Sequence, residues 1–109
     1  MSSKSLPKET ERILARFKAR LTRRYADAEA YLFGSYACGT WLEDSDLDVV
    51  VVSSKFKGQT FVERVAEVRH LAPNHKPFEI LAYTPAEFRS ALRRSVVLQD
   101  ARRYWRRVA

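Results

Sequence analysis

The sequence predicts a small α/β domain, in which a mixed β-sheet carries helices mainly on one of its faces. Three observations lead to this fold class. Apolar runs of strand length occur at 30–33, 47–53 and 77–83. Before and between these runs, apolar residues recur every three or four positions, as they do on the buried side of an amphipathic helix. The chain has 109 residues, so we expect one domain that spans 1–109.

The first predicted helix begins close to Pro7, because proline is favoured in the first turn of a helix. Its apolar residues repeat at helical spacing: Ile13, Leu14, Phe17 and Leu21. This side of the helix is expected to pack on the sheet.

A glycine-containing bend follows the first predicted strand directly. The bend reads Gly34-Ser35-Tyr36-Ala37-Cys38-Gly39. Glycine has no side chain and accepts unusual backbone angles, so backbone N–H groups beside it can approach an anion closely. We therefore interpret the bend as a candidate phosphate-binding turn.

Two carboxylates stand at the head of the second predicted strand. Five residues separate Gly39 from Ser45, which is followed by Asp46-Leu47-Asp48. Because strand side chains alternate, Asp46 and Asp48 are expected on one side, close enough to share divalent metal ions. The apolar side chains are expected on the other side: Leu47, Val49 and Val51. Carboxylates in an apolar strand repel one another unless a cation compensates them, which favours a functional site.

The second half of the chain predicts a helix, a strand and two further helices. The first of these helices spans about 60–71 and ends at Pro73 and Asn74. Its apolar residues are expected to pack on the sheet: Phe61, Val65, Val68 and Leu71. Thr84-Pro85-Ala86-Glu87 forms a capping box that ends the third strand and starts the next helix. A break is expected at 95–98, followed by a last short helix at 99–108.

Glu79 lies inside the third predicted strand, which is otherwise apolar. An acid in this place costs free energy unless a metal ion or hydrogen bonds offset it. The alternative interpretation of Glu79 is that it lies at the exposed end of an edge strand and has no functional role. His70 and His75 are not expected to bind metal, since neither has a ligand partner at a recognised spacing.

The composition indicates a soluble, cytoplasmic protein without a membrane association. No apolar run approaches the roughly 20 residues of a spanning helix, and no signal peptide is visible. Lys and Arg outnumber acids eight to two in residues 1–24 and seven to one in 88–109, whereas acids predominate ten to five between them. Basic ends admit RNA binding, although solvated faces of arginine-rich helices are the preferred explanation.

The motif Gly-Ser-x-x-x-Gly, a five-residue gap and Ser-Asp-x-Asp resembles the signature of the polymerase β-type nucleotidyltransferase superfamily. Among its members, the chain is most similar to the minimal nucleotidyltransferase (MNT) domains, over about residues 8–98. The resemblance implies the nucleotidyltransferase fold, a nucleoside triphosphate substrate, with ATP expected, and two Mg²⁺ ions. It assigns nucleotide binding to Gly34, Ser35, Gly39 and Ser45. It assigns metal binding and catalysis to Asp46, Asp48 and Glu79.

Two positions depart from the pattern of MNT domains. Cys38 stands where many of them carry arginine, and Glu79 stands where they usually carry the shorter aspartate. We expect Cys38 to be a small packed residue and not a nucleophile, because no His or Lys near it in sequence would lower its pKa.

The resemblance also implies a partner. MNT proteins typically pair with a HEPN-domain protein in a toxin–antitoxin system, where the MNT member is the antitoxin and can adenylylate its partner. Two alternatives stay open: a catalytically weak antitoxin that acts by binding its HEPN partner, and an RNA-directed nucleotidyltransferase. Self-association is also possible from the sequence.

Overall fold

A computed structural model describes residues 5–73 and 76–109 of the chain. In chain order, the elements of these residues are α1 (Lys8–Arg24), β1 (Glu29–Phe33), α2 (Gly34–Cys38), β2 (Leu47–Val52), a 3₁₀ turn (Ser54–Phe56), α3 (Phe61–Leu71), β3 (Phe78–Tyr83), α4 (Pro85–Arg94), α5 (Val96–Ala101) and β4 (Arg106–Arg107). The helix end predicted at Asn74 and the prediction that His75 does not bind metal concern two residues that lie outside the described part of the chain.

The strands form one mixed sheet in the order β3-β2-β1-β4. β2 pairs with β1 in the antiparallel sense and with β3 in the parallel sense. β4 pairs with the outer side of β1, also in the antiparallel sense. In this register Asp48 stands between Phe33 on β1 and Glu79 on β3. The predicted mixed α/β architecture is therefore confirmed, and it brings the two acids to neighbouring positions.

Helices α1 and α3 cover one face of the sheet. The apolar side predicted for α1 is buried, as are the alternate residues of β2 that face it: Ile13, Leu14, Phe17, Leu21, Leu47, Val49 and Val51. Val68 of α3 joins the same core. Because Leu47 and Val49 point into this core, Asp48 between them projects from the opposite face of the sheet.

The opposite face carries a smaller, aromatic layer. Phe88 of α4 packs on Val50 and Val52 of β2, and Trp105 stacks near it with its ring centroid 5.9 Å from that of Phe88. Tyr31 contacts both rings, at centroid distances of 5.9 and 4.7 Å. This layer covers the far end of β2 and leaves the end that bears Asp48 beside a cleft.

Two predictions about individual segments were wrong. Phe61 was expected to pack on the sheet, but its side chain is 47% exposed. A break was expected at 95–98 and a helix at 99–108, whereas α5 already begins at Val96, ends at Ala101 and is followed by β4. Backbone pairing decides the second case, because β4 pairs with β1 and the amide of Val108 donates to the carbonyl of Ala30, 2.7 Å away. Tertiary pairing of this kind overrides local propensity.

Arg64 is buried in α3, although only apolar residues of this helix were expected to pack on the sheet. Its guanidinium is ion-paired with Glu87 and donates to the carbonyl oxygens of Gln59 and Ala82. Glu87 is also the N3 residue of the predicted capping box, which is present with Thr84 as the N-cap. One carboxylate therefore caps α4 and neutralises a cation that is only 7% exposed.

Asp27 ties the turn before β1 to the end of β2. Its carboxylate accepts hydrogen bonds from both hydroxyl groups of Ser53 and Ser54, each at 2.6 Å, and from the amide of Ser54 at 2.9 Å. These bonds favour the charged form and lower the pKa of Asp27 to about 2.

We expect Asp27→Asn to lower the free energy of unfolding by on the order of 1 kcal/mol at neutral pH, a modest figure because the carboxylate is exposed. A depressed folded-state pKa stabilises the protein above the ordinary pKa of Asp, and this stabilisation is lost as the pH falls towards about 2. Urea unfolding of both proteins across this range tests the prediction. The difference should vanish in acid; a constant difference would contradict it.

None of the described helices is both long and apolar enough to span a lipid bilayer.

Candidate active site

Gly34 lies at the point where β1 passes into α2, with a positive φ of 67°. A Cβ atom at this position would stand 2.1 Å from Oδ2 of Asp48, far inside any permitted contact. The sequence predicted a flexible glycine so that backbone could approach an anion. The structure adds a second requirement, because only glycine leaves room for the carboxylate of Asp48.

The rest of the predicted turn folds as the five-residue helix α2. Gly39 ends it in the left-handed conformation, with φ of 82°, and its amide donates to the carbonyl of Ser35 at 2.9 Å. The first N–H groups of a helix have no acceptor within the helix, so those at Gly34 and Ser35 suit an anion. Gly39 thus closes α2, while Gly34 stands against Asp48.

Ser45 organises the loop that delivers the first acid to the site. Its hydroxyl accepts a hydrogen bond from the amide of Leu42 at 2.8 Å, and its own amide donates to the carbonyl of Leu42 at 3.1 Å. These two bonds close a turn immediately before Asp46. In this structure the Ser45 hydroxyl therefore shapes the loop; its predicted contact with nucleotide stays a prediction.

The acids stand in different environments. Asp46 is exposed and precedes β2, Asp48 is half-buried on β2, and Glu79 is exposed on the edge strand β3. Burial raises the pKa of Asp48, and the neighbouring charges of Glu79 and then Asp46 raise it further. The charges of Glu79 and Asp46 therefore act on the carboxylate of Asp48.

This set of groups fits a divalent cation by its chemistry. Carboxylate oxygens are the ligands that Mg²⁺ prefers, and repulsion around Asp48 is the electrostatic setting that a cation relieves. Among residues 5–73 and 76–109, however, no group of three acidic, His or Cys side chains is already close enough to form a complete metal site. The ion would be held by Asp46, Asp48 and Glu79, whose side chains are not close enough together to form a complete site without it.

A cleft of about 340 Å³ opens beside the acids. Asp48, Glu79 and Gly34 line one part of it. The remaining wall is mostly apolar. The strands contribute Phe33, Val49, Val50, Ile80 and Leu81, and the C-terminal segment contributes Val97, Leu98, Ala101 and Tyr104. Sequence reasoning missed this wall, because nothing local indicates that α5 returns to the sheet face that bears Asp48.

Cys38 is exposed, and the prediction that it is a packed residue was wrong. It sits at the last position of α2. Burial raises the pKa of Tyr104, and the neighbouring Cys38 raises it further. The end of α2 therefore lies beside Tyr104, a residue of the C-terminal wall of the cleft. No local pattern in the sequence placed Tyr104 in the site.

Comparisons with known proteins identify the class to which this fold and site belong. Residues 12–104, most of the chain, match the family described as "Nucleotidyltransferase domain". The chain belongs to this nucleotidyltransferase domain family. Comparison with curated proteins gave no match.

Two solved structures are similar to the chain, and both are named "putative nucleotidyltransferase". One, from Sulfolobus solfataricus, is 21% identical with a TM-score of 0.61, over 83% of this chain and 84% of the other. The second is 29% identical with a TM-score of 0.52, over 70% of this chain and 83% of the other. The Sulfolobus protein supports the nucleotidyltransferase fold, which the arrangement of strands and helices described above shares.

Proposed function

We propose that the chain transfers a nucleoside monophosphate, AMP from ATP, to a hydroxyl group of an acceptor, with two Mg²⁺ ions as cofactors. The observation that carries the proposal is the position of Asp48. It stands beside Glu79 in the sheet register and against Gly34, where any side chain would displace its carboxylate. The proposed metal ligand Asp48 and the proposed phosphate-binding bend at Gly34 are therefore neighbours, which supports the proposal.

Each group of the site has a part in binding. The backbone amides of Gly34 and Ser35 and the hydroxyl of Ser35 hold the triphosphate tail. Asp46 and Asp48 hold the metal ions, and Glu79 completes the ligands on the acceptor's side. Bound Mg²⁺ would stabilise the entering and leaving oxygens of the displacement.

The reaction is an in-line displacement at the α-phosphorus of the nucleotide. The acceptor oxygen forms a bond to this phosphorus while the bond to the bridging oxygen of pyrophosphate breaks. The hydroxyl proton passes to a carboxylate, for which Glu79 is the candidate base. Glu79 is suited to this role because it is exposed on the edge strand, where an acceptor can reach it.

The proposed acceptor is a HEPN-domain protein, which the chain would modify as the antitoxin of a toxin–antitoxin pair. This part of the proposal is supported by the resemblance of the motif at 34–48 to MNT domains. The exposed apolar side chains at the rim of the cleft are compatible with a protein acceptor, since Leu81 is 41% and Val97 is 76% exposed.

A second candidate function is an antitoxin that neutralises its HEPN partner by binding alone. One observation favours it: the described residues contain no group of three ligands already gathered for a metal ion. Under this alternative the acids would be remnants of a transferase site.

Incubation with α-labelled ATP, Mg²⁺ and the HEPN partner separates these functions. The proposed transferase should label the partner, and Asp46→Asn should lose the label while keeping the fold. Glu11→Gln, which removes a carboxylate from the exposed side of α1, is the matched control and should label normally. Absence of label with the parent, combined with full neutralisation by Asp46→Asn, would exclude the transferase role and establish the binding-only one.

A further inference from the structure

Four arginines form a ridge on the outer side of α1. We call Arg12, Arg16, Arg20 and Arg23 the arginine ridge; all four are exposed. Within residues 5–73 and 76–109, none of the four takes part in an ion pair, and Arg20 donates to the carbonyl oxygen of Leu71 at 3.4 Å. Positive charge is thus concentrated along this side of α1, and Glu9, one turn before Arg12, is the acid at its N-terminal end.

The helix sets the spacing of the ridge. Residues four apart lie about 6 Å apart along a helix axis, and residues three or four apart share one side. The opposite side of α1 is fixed by burial, since Phe17 and Leu21 are fully buried. The ridge therefore presents evenly spaced guanidinium groups on a helix that cannot rotate.

The ridge lies on the far side of the sheet from the candidate active site. α1 packs on the face that contains Leu47 and Val49, whereas Asp48 projects from the other face. A ligand bound along the ridge would therefore not be placed at the acids. Any ligand of the ridge would therefore serve a function separate from that of the candidate active site.

Its chemistry selects phosphate. Guanidinium groups bind phosphate oxygens in a bidentate manner, and a row of them suits a ligand with repeated phosphates. A membrane surface is a poor match, because an interfacial helix inserts an apolar side and that of α1 is buried in the core. We infer that the arginine ridge binds the phosphate backbone of a nucleic acid strand, as a docking surface separate from nucleotidyl transfer.

Fluorescence anisotropy with a labelled single-stranded RNA oligonucleotide tests this inference, with DNA of the same sequence in parallel. The test variant is Arg12→Glu/Arg16→Glu/Arg23→Glu. The control is Arg89→Glu/Arg93→Glu/Arg94→Glu on α4, which changes the net charge equally at exposed positions. Circular dichroism checks that both stay folded.

The ridge variant should lower the affinity for the oligonucleotide at least about tenfold at roughly 0.1 M salt. It should also reduce the slope of log K against log salt by about 2, because three phosphate contacts are lost. The α4 control should keep most of the affinity. Binding should also persist in Asp48→Asn, which makes this result independent of the transferase function. Binding of either RNA or DNA by the parent supports the inference, since the phosphate backbone is common to both.

Three results would overturn it: no binding by the parent at this salt concentration, an equal loss in the α4 control, or equally tight binding of polyglutamate. The last result would indicate an acidic protein surface as the ligand of the ridge.

Discussion

Replacement of Gly34 by alanine is expected to abolish nucleotidyl transfer and to destabilise the fold. The new Cβ would stand 2.1 Å from the Asp48 carboxylate, so the carboxylate or the backbone of the bend must move. The φ of 67° adds the cost of a left-handed alanine, roughly 1–2 kcal/mol. We expect a total loss of about 3 kcal/mol in the free energy of unfolding and a more than hundredfold loss of activity.

Gly58 offers a matched control for this prediction. It also has a positive φ, 87°, but a Cβ atom there would meet nothing within 4 Å. Gly58→Ala should therefore lose only the roughly 1–2 kcal/mol of backbone strain and keep its activity. The difference between the two variants measures the contact with Asp48. Equal losses of stability and equal activities in both would show that this contact is unimportant.

Asp48→Asn is expected to abolish transfer while it stabilises the protein. The raised pKa of Asp48 means that the folded chain disfavours its charge, through burial and then through Glu79 and Asp46. Between the ordinary pKa of Asp and this raised value, the folded state binds more protons than the unfolded state, so stability falls as the pH rises. Because asparagine carries no charge, the variant should not lose this stability at neutral pH. Catalysis should fall more than hundredfold, since a metal ligand supplies several kcal/mol.

Magnesium distinguishes this effect from a general change in stability. Mg²⁺ should raise the Tm of the parent, because an ion that binds the folded state alone stabilises it. Mg²⁺ should raise the Tm of Asp48→Asn much less. Glu11→Gln, which removes a carboxylate on α1, should respond to Mg²⁺ as the parent does. A parent Tm that is independent of Mg²⁺, or a variant less stable than the parent at neutral pH, would contradict the account of Asp48.

The sequence was sufficient for features that depend on local periodicity. Alternation placed Leu47 and Val49 on the core side of β2 and Asp48 on the other, and the capping box at Thr84 fixed the start of α4. Helical spacing likewise predicted the buried side of α1. In each case the signal and the structure lie within a few residues of each other.

Features that depend on pairing between distant segments could not be predicted in this way. β4 forms only because β1 is available to pair with Arg106 and Arg107, and the cleft wall exists only because α5 returns to the sheet. Buried Arg64 in place of an apolar residue is explained by Glu87, which lies 23 residues away. The need for glycine at position 34 likewise depends on a side chain of another strand.

A crystal structure with Mg²⁺ and a non-hydrolysable ATP analogue tests the central claim most directly, because it shows where the phosphates and the ions bind. We expect the triphosphate against the backbone of Gly34 and Ser35, and Mg²⁺ on the carboxylates of Asp46 and Asp48. Nucleotide bound elsewhere on the chain, or Mg²⁺ that contacts neither aspartate, would contradict it.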